Sequence, residues 1–536
     1  MRGSVKFMRK LSLFAILVFC AMCGGSRTQK CVRADDKPKV RQPAVAGSFY
    51  PADPDQLTKM VDGFLAKAVV PANPGRVVAL VASHAGYEYS GAVAAHSYAL
   101  LRGQKFARVV VIAPSHFEAF AFNSVYDGDA YATPLGNIPV DKEFAAELVK
   151  ESPLIQLSSR GHTPKGPQGE HAIEVQLPFL QRVLGDFKLV PIVMGDQNYK
   201  TERALGVALA KLIKSRDTLI VASSDLSHYH TYDEANRLDH KTLKAIEQYD
   251  YVSLSENFEY GIWEACGGGP IVSAMIAAER LGANHAKVLK YANTGDVTGD
   301  HTRVVGYSAV ALLQAPASSA DTERFSLNTK EKETLLRLAR KSVETAVQDK
   351  KSYEPPEPDS ESLQQERGVF VTLKEKGELR GCIGLITARK PLYLAVRDAA
   401  ALAALRDTRF SPVTQSELPE LEYEISVLTP FHHVADTKEI RIGRDGLLMI
   451  HDDAEGVFLP QVPVEERWDR KTYLEELGLK AGLYRETWQD EATDIFAFSA
   501  LVFGERKLPE PVTPDVSPPQ RSKSQPGSPV PDSPQR

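Results

Sequence analysis

The sequence predicts an α/β sheet domain followed by a smaller α+β domain, and three observations carry that prediction. Between about residues 40 and 313, β-branched runs of strand length alternate with polar turns and with helical stretches whose apolar residues recur three and four apart. Around 314–324 a stretch rich in Ala, Ser and Pro interrupts that alternation. Beyond it helices and strands follow in mixed order.

The chain opens with Arg2, Lys6, Arg9 and Lys10 ahead of the apolar run 11–22, which is the pattern of an export signal over residues 1–34. The run is too short to cross a bilayer comfortably. Cys23-Gly24-Gly25-Ser26 resembles the start of a bacterial lipoprotein, and Val32-Arg33-Ala34 offers an ordinary cleavage site, so both stay open. The expected location is periplasmic or lipid-anchored at the cell envelope, with membrane contact only through such an anchor.

In the first domain, residues 41–313, strands are expected over 77–83, 109–113, 189–193, 219–222, 288–293 and 304–313. Their near-continuous apolar character suits strands covered on both faces. Helices are expected over 54–68, 202–215, 233–248 and 270–281. A linker at 314–326 leads to the second domain, residues 327–508, with a helix over 330–348, a polar loop over 351–365, strands over 368–373 and 380–385, a helix over 392–406 and a strand over 421–428. The tail 509–536 is Pro, Ser, Gln and Arg with almost no apolar residue, a composition that predicts disorder.

A chain of 536 residues, 43% hydrophobic and 25% charged, is long enough for two or three cores. A net charge of −5 without a long basic run argues against nucleic acid as a partner. Of the five cysteines, Cys20, Cys23 and Cys31 lie in the leader, leaving Cys266 and Cys382, each in its own Gly-rich motif. Two such distant cysteines make no disulfide framework.

Three expected strands run into polar clusters: His84-Ala85-Gly86-Tyr87, Pro114-Ser115-His116-Phe117 and Ser223-Ser224-Asp225-Leu226-Ser227-His228. Ligands of open α/β sheets bind beyond the strand carboxyl ends, so groups far apart in sequence converge there. His84 and His116 are the simplest rigid pair to hold a transition metal. Cys266, in Cys266-Gly267-Gly268-Gly269-Pro270 ahead of a helix whose N-terminus would stabilise a thiolate, is the candidate third ligand. A small buried hydrophobe is the rival reading for Cys266, and it explains the three glycines less well. His171, in Gly169-Glu170-His171 and opening a helix, joins Asp225 and His228 as candidate supporting or acid–base residues. His230 and His301 have no spacing argument and read as ordinary loop histidines.

Taken together, His84-Ala85-Gly86-Tyr87, Pro114-Ser115-His116, Glu170-His171, Ser223 to His228 and Cys266-Gly267 resemble the Memo family over roughly 41–313. The resemblance implies a fold similar to class III extradiol ring-cleaving dioxygenases, which hold iron with two histidines and a carboxylate. It implies that His84, His116 and Cys266 occupy the metal pocket, with His171, Asp225 and His228 nearby, and it implies a metal and redox role with copper leading. Cysteine in place of the carboxylate turns the donor set soft, which favours copper(I), with zinc or iron as alternatives. Ring cleavage does not follow from fold alone.

In the second domain Glu378-Leu379-Arg380-Gly381-Cys382-Ile383-Gly384, Arg409-Phe410-Ser411-Pro412-Val413 and 422–428 resemble the AMMECR family over roughly 327–508. Glycines flanking Cys382 on a strand indicate close backbone approach, and Arg380 beside the thiol would depress its pKa. A buried structural cysteine is the alternative. The two families together resemble a three-part grouping with a radical-SAM protein, which implies such an enzyme as a partner. An exported chain fits that partner poorly, because radical-SAM enzymes need a reducing compartment. Three functional readings stand side by side: a metal-dependent oxidoreductase, a binding module for metal or for a small molecule or peptide, and a hydrolase using Cys266, His228 and Asp225.

Overall fold

The computed structural model describes residues 38–72, 74–163, 169–215, 217–315 and 325–505. The expected leader, most of the linker and the Pro/Ser-rich tail lie outside the described residues. Among those described, no helix is long and apolar enough to cross a membrane.

The first domain is a nine-stranded mixed sheet built from β1 (Arg76–Ala82), β2 (Arg108–Pro114), β3 (Asn123–Tyr126), β4 (Ile155–Ser158), β5 (Lys188–Met194), β6 (Thr218–Ser223), β7 (His228–His230), β8 (His285–Asn293) and β9 (Val304–Gln314). The spatial order is β7-β9-β1-β6-β2-β5-β3-β4, with β8 hydrogen-bonded to β9. β1, β6, β2 and β5 run parallel, and β9 joins β1 antiparallel. The parallel strands are buried almost throughout, as strands covered on both faces must be. Their carboxyl ends release His84, His116 and the 223–228 segment at one edge.

Helices α1 (Pro54–Lys67), α2 (Ala92–Ala99), α3 (Leu177–Leu184), α4 (Tyr199–Leu212), α5 (Tyr232–Glu247), α6 (Tyr251–Glu259) and α7 (Gly268–Arg280) cover the sheet. Local chemistry starts several of them: Asp53 caps α1 by accepting from the Gln56 amide, and Asn198 caps α4 by accepting from Thr201. α4 and α7 pack so closely that a Cβ on Gly206 would come 2.7 Å from Ile276. Between them Glu202 is fully buried. Its Oε2 accepts from Ser255 Oγ at 2.5 Å, and its Oε1 has no partner among the described residues.

Burial pushes the Glu202 carboxyl up to about 8. Because the folded pKa lies above the unfolded one, its contribution is fully present below about pH 4.3 and is lost as pH rises towards 8. Glu202→Gln, neutral at every pH, flattens the stability profile across that window. The expected gain over wild type at pH 9 is on the order of a few kcal/mol. Urea midpoints at pH 5 and pH 9 measure it, and equal pH slopes in the two proteins would refute the assignment.

The second domain carries α8 (Thr329–Gln348), α9 (Leu392–Leu405) and α10 (Arg470–Lys480) on two four-stranded antiparallel sheets. Its strands are β10 (Val369–Glu375), β11 (Glu378–Leu385), β12 (Leu421–Leu428), β13 (His432–His433), β14 (Gly446–His451), β15 (Ala454–Phe458), β16 (Thr493–Phe498) and β17 (Ala500–Gly504). The orders are β11-β10-β12-β17 and β13-β16-β14-β15. The sequence anticipates three strands of the first sheet, β10, β11 and β12, and none of the second.

The two domains do not merely adjoin. One apolar cluster runs from Tyr251, Trp263 and Met275 of the first into Phe431, Leu448, Phe496 and Phe498 of the second, and Tyr251 meets Phe496 edge-on with ring centres 5.7 Å apart. At its border Asp494 of β16, 2% exposed, accepts from Tyr199 (2.8 Å), Arg203 (2.7 Å) and Arg280 (2.9 Å).

Candidate metal centre

Three imidazoles meet at the strand-end edge. His84, His116 and His171 each offer a ligand atom, and these atoms lie within 4.8 Å of one another. The rings of His116 and His171 are nearly parallel with centres 5.1 Å apart, and both stand edge-on to His84 at 5.2 and 5.7 Å.

The hydrogen-bond network assigns the tautomers. Ser223 Oγ spends its one proton on the Ala172 carbonyl at 2.6 Å, so at 2.9 Å from His84 Nδ1 it accepts, and Nδ1 carries the proton. His116 Nδ1 lies 3.1 Å from Glu170 Oε1 and donates to it. His171 Nδ1 donates to the Gly169 carbonyl at 3.3 Å. In its neutral form each of the three rings therefore carries its lone pair on Nε2. Imidazoles fixed by carboxylate, hydroxyl or carbonyl on the far nitrogen are what metal ligation requires.

Cys266 completes the group. Its Sγ is 3.2 Å from His84 Nε2 and receives the Asp225 amide at 3.3 Å. The glycines after it work by absence: a Cβ on Gly267 would stand 2.3 Å from the Ser223 carbonyl, and one on Gly269 2.4 Å from Met194 Sδ. Only a bare backbone lets this loop seat against the ends of β6 and β5 and deliver the thiol. Gln197 ties it down by donating to the Cys266 carbonyl and accepting from the Gly269 amide.

Burial holds the His84 pKa well below the usual histidine range and lowers that of His171 as well, so both rings are neutral at neutral pH. His116 is also desolvated, but hydrogen bonds to Cys266 and Glu170 outweigh that and raise it to about 10. Burial pushes the Cys266 thiol up rather than down. Hydrogen bonds to His116 and to the Asp225 backbone pull it the other way without offsetting that burial.

Placement of the other expected residues varies. Asp225, 3% exposed, accepts the His84 amide at 2.8 Å and so fixes the backbone of a candidate ligand. His171 stands among the three clustered imidazoles rather than behind them. His228 sits on edge strand β7, and its ring makes no hydrogen bond among the described residues. His230 pairs with Glu264 at 2.9 Å, and His301 stacks on Tyr232. Glu170, Ser223 and Gln176 carry roles the sequence reading did not assign. Glu170 takes the amides of His116, His171 and Ala172 besides the His116 ring, and Gln176 donates to Ser223 Oγ at 2.7 Å. The one signal was the acid adjacent to His171.

In the second domain Cys382 lies on β11, its amide donating to Asp407 Oδ2 at 2.8 Å and its sulfur accepting from Thr372 at 3.3 Å. The expected activation by Arg380 is corrected here: Arg380 pairs with Glu417 at 2.7 Å, and burial raises the Cys382 thiol. Gly381 is required because a Cβ there would come 2.3 Å from the Ala403 carbonyl of α9. Cys266 and Cys382 are both free thiols.

Comparison with known proteins agrees with this layout. A MEMO1 family protein of Methanopyrus kandleri, MK0963, is 37% identical over 283 residues, covering 51% of this chain and 98% of the relative. One of Sulfolobus acidocaldarius is 39% identical over 286 residues, covering 51% and 98%. Among solved structures, the uncharacterized protein PH0010 of Pyrococcus horikoshii is 40% identical, covers 32% of this chain and 90% of its own, and has a TM-score of 0.32. The family model for Memo-like proteins matches residues 41–311 and the AMMECR1 model residues 336–503, so the chain belongs to the Memo-like family and carries an AMMECR1 domain behind its Memo domain.

Proposed function

We propose that the Memo domain is a transition-metal protein, copper(I) favoured over zinc and iron, with a redox role. The observation that carries the reading is the set of three imidazoles with ligand atoms within 4.8 Å and a thiol 3.2 Å from one of them. Imidazole and sulfur donors without a carboxylate among them suit a soft or borderline ion. A bound copper or iron ion would supply one-electron redox chemistry and Lewis acidity at this edge. The chain's own part is positional: Ser223, Glu170 and the Gly169 carbonyl fix the three imidazoles through their Nδ1 atoms, the glycine loop carries the sulfur to them, and His116, raised to about 10, would give up its Nε2 proton on ligation.

A binding module without turnover rests on the same donors, and turnover with a redox cycle of the bound ion distinguishes the two. The hydrolase reading is weaker, since Cys266 contacts His84 rather than His228 and Asp225 serves the His84 amide. Arg380 and Cys382 enter no reaction proposed here. Export and a radical-SAM partner rest on the leader and on family resemblance alone.

Elemental analysis of protein purified without added metal tests the proposal. Close to one equivalent of copper or zinc is expected in wild type, with little in a His84→Ala, His171→Ala double variant that keeps its circular dichroism. Equal metal content in both would remove the site.

A further inference from the structure

A groove of about 430 Å³ lies on the second domain and shares no residue with the imidazole cluster. It is lined by α8, by the loop ahead of β10 and by Tyr393 of α9. Tyr353 and Tyr393, both half-buried, and the loop prolines Pro355, Pro356 and Pro358 give it an aromatic, apolar character. Grooves lined by aromatic rings are the recurring receptor for proline-rich segments, whose stiff backbone loses little entropy on binding.

The polar rim is basic. Arg337, Arg340 and Lys341 line it against a single acid, Glu344. Among the described residues Arg337 and Lys341 pair only along α8: Arg337 donates to Thr334 at 3.2 Å and lies 4.0 Å from Glu333, and Lys341 lies 3.7 Å from Glu344. Both side chains are more than half exposed, at 70% and 57%. Exposed pairs of that kind are worth little, so both charges can be drawn to an incoming acid.

Arg340 is already engaged. It donates to both carboxylate oxygens of Glu505 at 2.8 Å and lies over the Tyr423 ring. Glu505 is the last residue of the described body, so the tail departs from the rim of this groove. Within that tail, residues 508–519 carry five prolines, two acids and no base: Leu508-Pro509-Glu510-Pro511-Val512-Thr513-Pro514-Asp515-Val516-Ser517-Pro518-Pro519. Even a fully extended chain keeps Pro509, four residues on, within roughly 14 Å of Glu505. Proline content, sign of charge and point of departure all match the groove.

We infer that this groove is a docking site for an acidic, proline-rich segment, and that its occupant is residues 508–519 of the same copy. The prolines lie against Tyr353 and Tyr393, and Glu510 and Asp515 face Arg337 and Lys341. The Arg340–Glu505 pair tethers the segment at the rim, so another molecule's segment enters only when the tail leaves.

Fluorescence polarisation of a labelled synthetic peptide of residues 508–519, titrated with the full chain, tests this. The comparison protein is the full chain carrying Pro509→Ser, Glu510→Lys, Pro511→Ser and Asp515→Lys, all outside the described body. The peptide is expected to bind that tail variant with a Kd of about 100 µM or tighter. A short tether presents the native tail at an effective concentration in the millimolar range, so wild type is expected to bind the peptide at least about tenfold more weakly. Adding Arg337→Glu and Lys341→Glu to the tail variant, both on the exposed face of α8, is expected to abolish binding while circular dichroism is unchanged. No binding to the tail variant, equal binding by wild type and tail variant, or binding that survives Arg337→Glu with Lys341→Glu overturns the proposal. Occlusion in wild type that disappears on dilution would overturn the assignment to the same copy and give the groove to the tail of a second one.

Discussion

Asp494→Ala lowers the stability of the chain by about 3–5 kcal/mol, the cost of leaving a buried ion pair half-made. Asp494 gathers two guanidiniums and a phenol from the Memo domain onto one strand of the AMMECR1 domain, with His433 at 3.7 Å. Burial alone would raise its pKa, but His433, Arg203 and Arg280 outweigh it and hold the carboxyl well below the usual range. A depressed folded pKa means stability present above about pH 4 and withdrawn only as the medium turns strongly acid. Removing the carboxylate strands Arg203 and Arg280 beside an apolar cluster. Asp494→Asn keeps the acceptor oxygen, loses the charge, and should fall between wild type and Ala. Chemical denaturation followed by Trp fluorescence is the measurement. A loss under about 1 kcal/mol would place the interface energy in the apolar cluster instead.

Why Asp494 escaped the sequence reading is instructive. Its partners stand 291 and 214 residues away, and nothing local marks an acid on a strand as an interface anchor. The parallel strands were legible because burial on both faces writes a continuous apolar run, as in Arg108–Pro114, RVVVIAP. Asn123–Tyr126 and Ile155–Ser158, each four residues long and carrying polar side chains, write no such run. Gly446–His451 is rich in Leu and Met rather than β-branched residues, so the second sheet of the AMMECR1 domain stayed hidden. In the site, His84 and His116 were readable because each lies two residues past the end of a strand of one sheet. His171 reaches them from a loop on another element, and only tertiary packing, with Phe49 against its ring at 4.6 Å, sets its place. Arg380 was misread for the same reason as Asp494: Glu417, its partner, is 37 residues away.

Cys266→Asp is expected to reverse the copper(I) preference proposed for the site. The substitution removes the sulfur and places a carboxylate in the loop that Gly267 and Gly269 press against the strand ends, giving a hard oxygen among imidazoles. That donor set is suited to ferrous iron. Copper(I) affinity is expected to fall by at least about 100-fold, beyond what loss of a supporting residue costs, and ferrous affinity to rise relative to wild type. Cys266→Ser should lose copper(I) affinity without gaining iron, which separates removal of sulfur from addition of charge. His171→Ala addresses the other ligand, because its stacking on His116 without direct ligation would leave copper(I) affinity nearly unchanged. Competitive titration of the four proteins under anaerobic conditions gives the comparison. Wild type preferring ferrous iron, or Cys266→Ser binding copper(I) as tightly as wild type while His171→Ala fails, would make the centre a three-imidazole site with the thiol a bystander held beside His84.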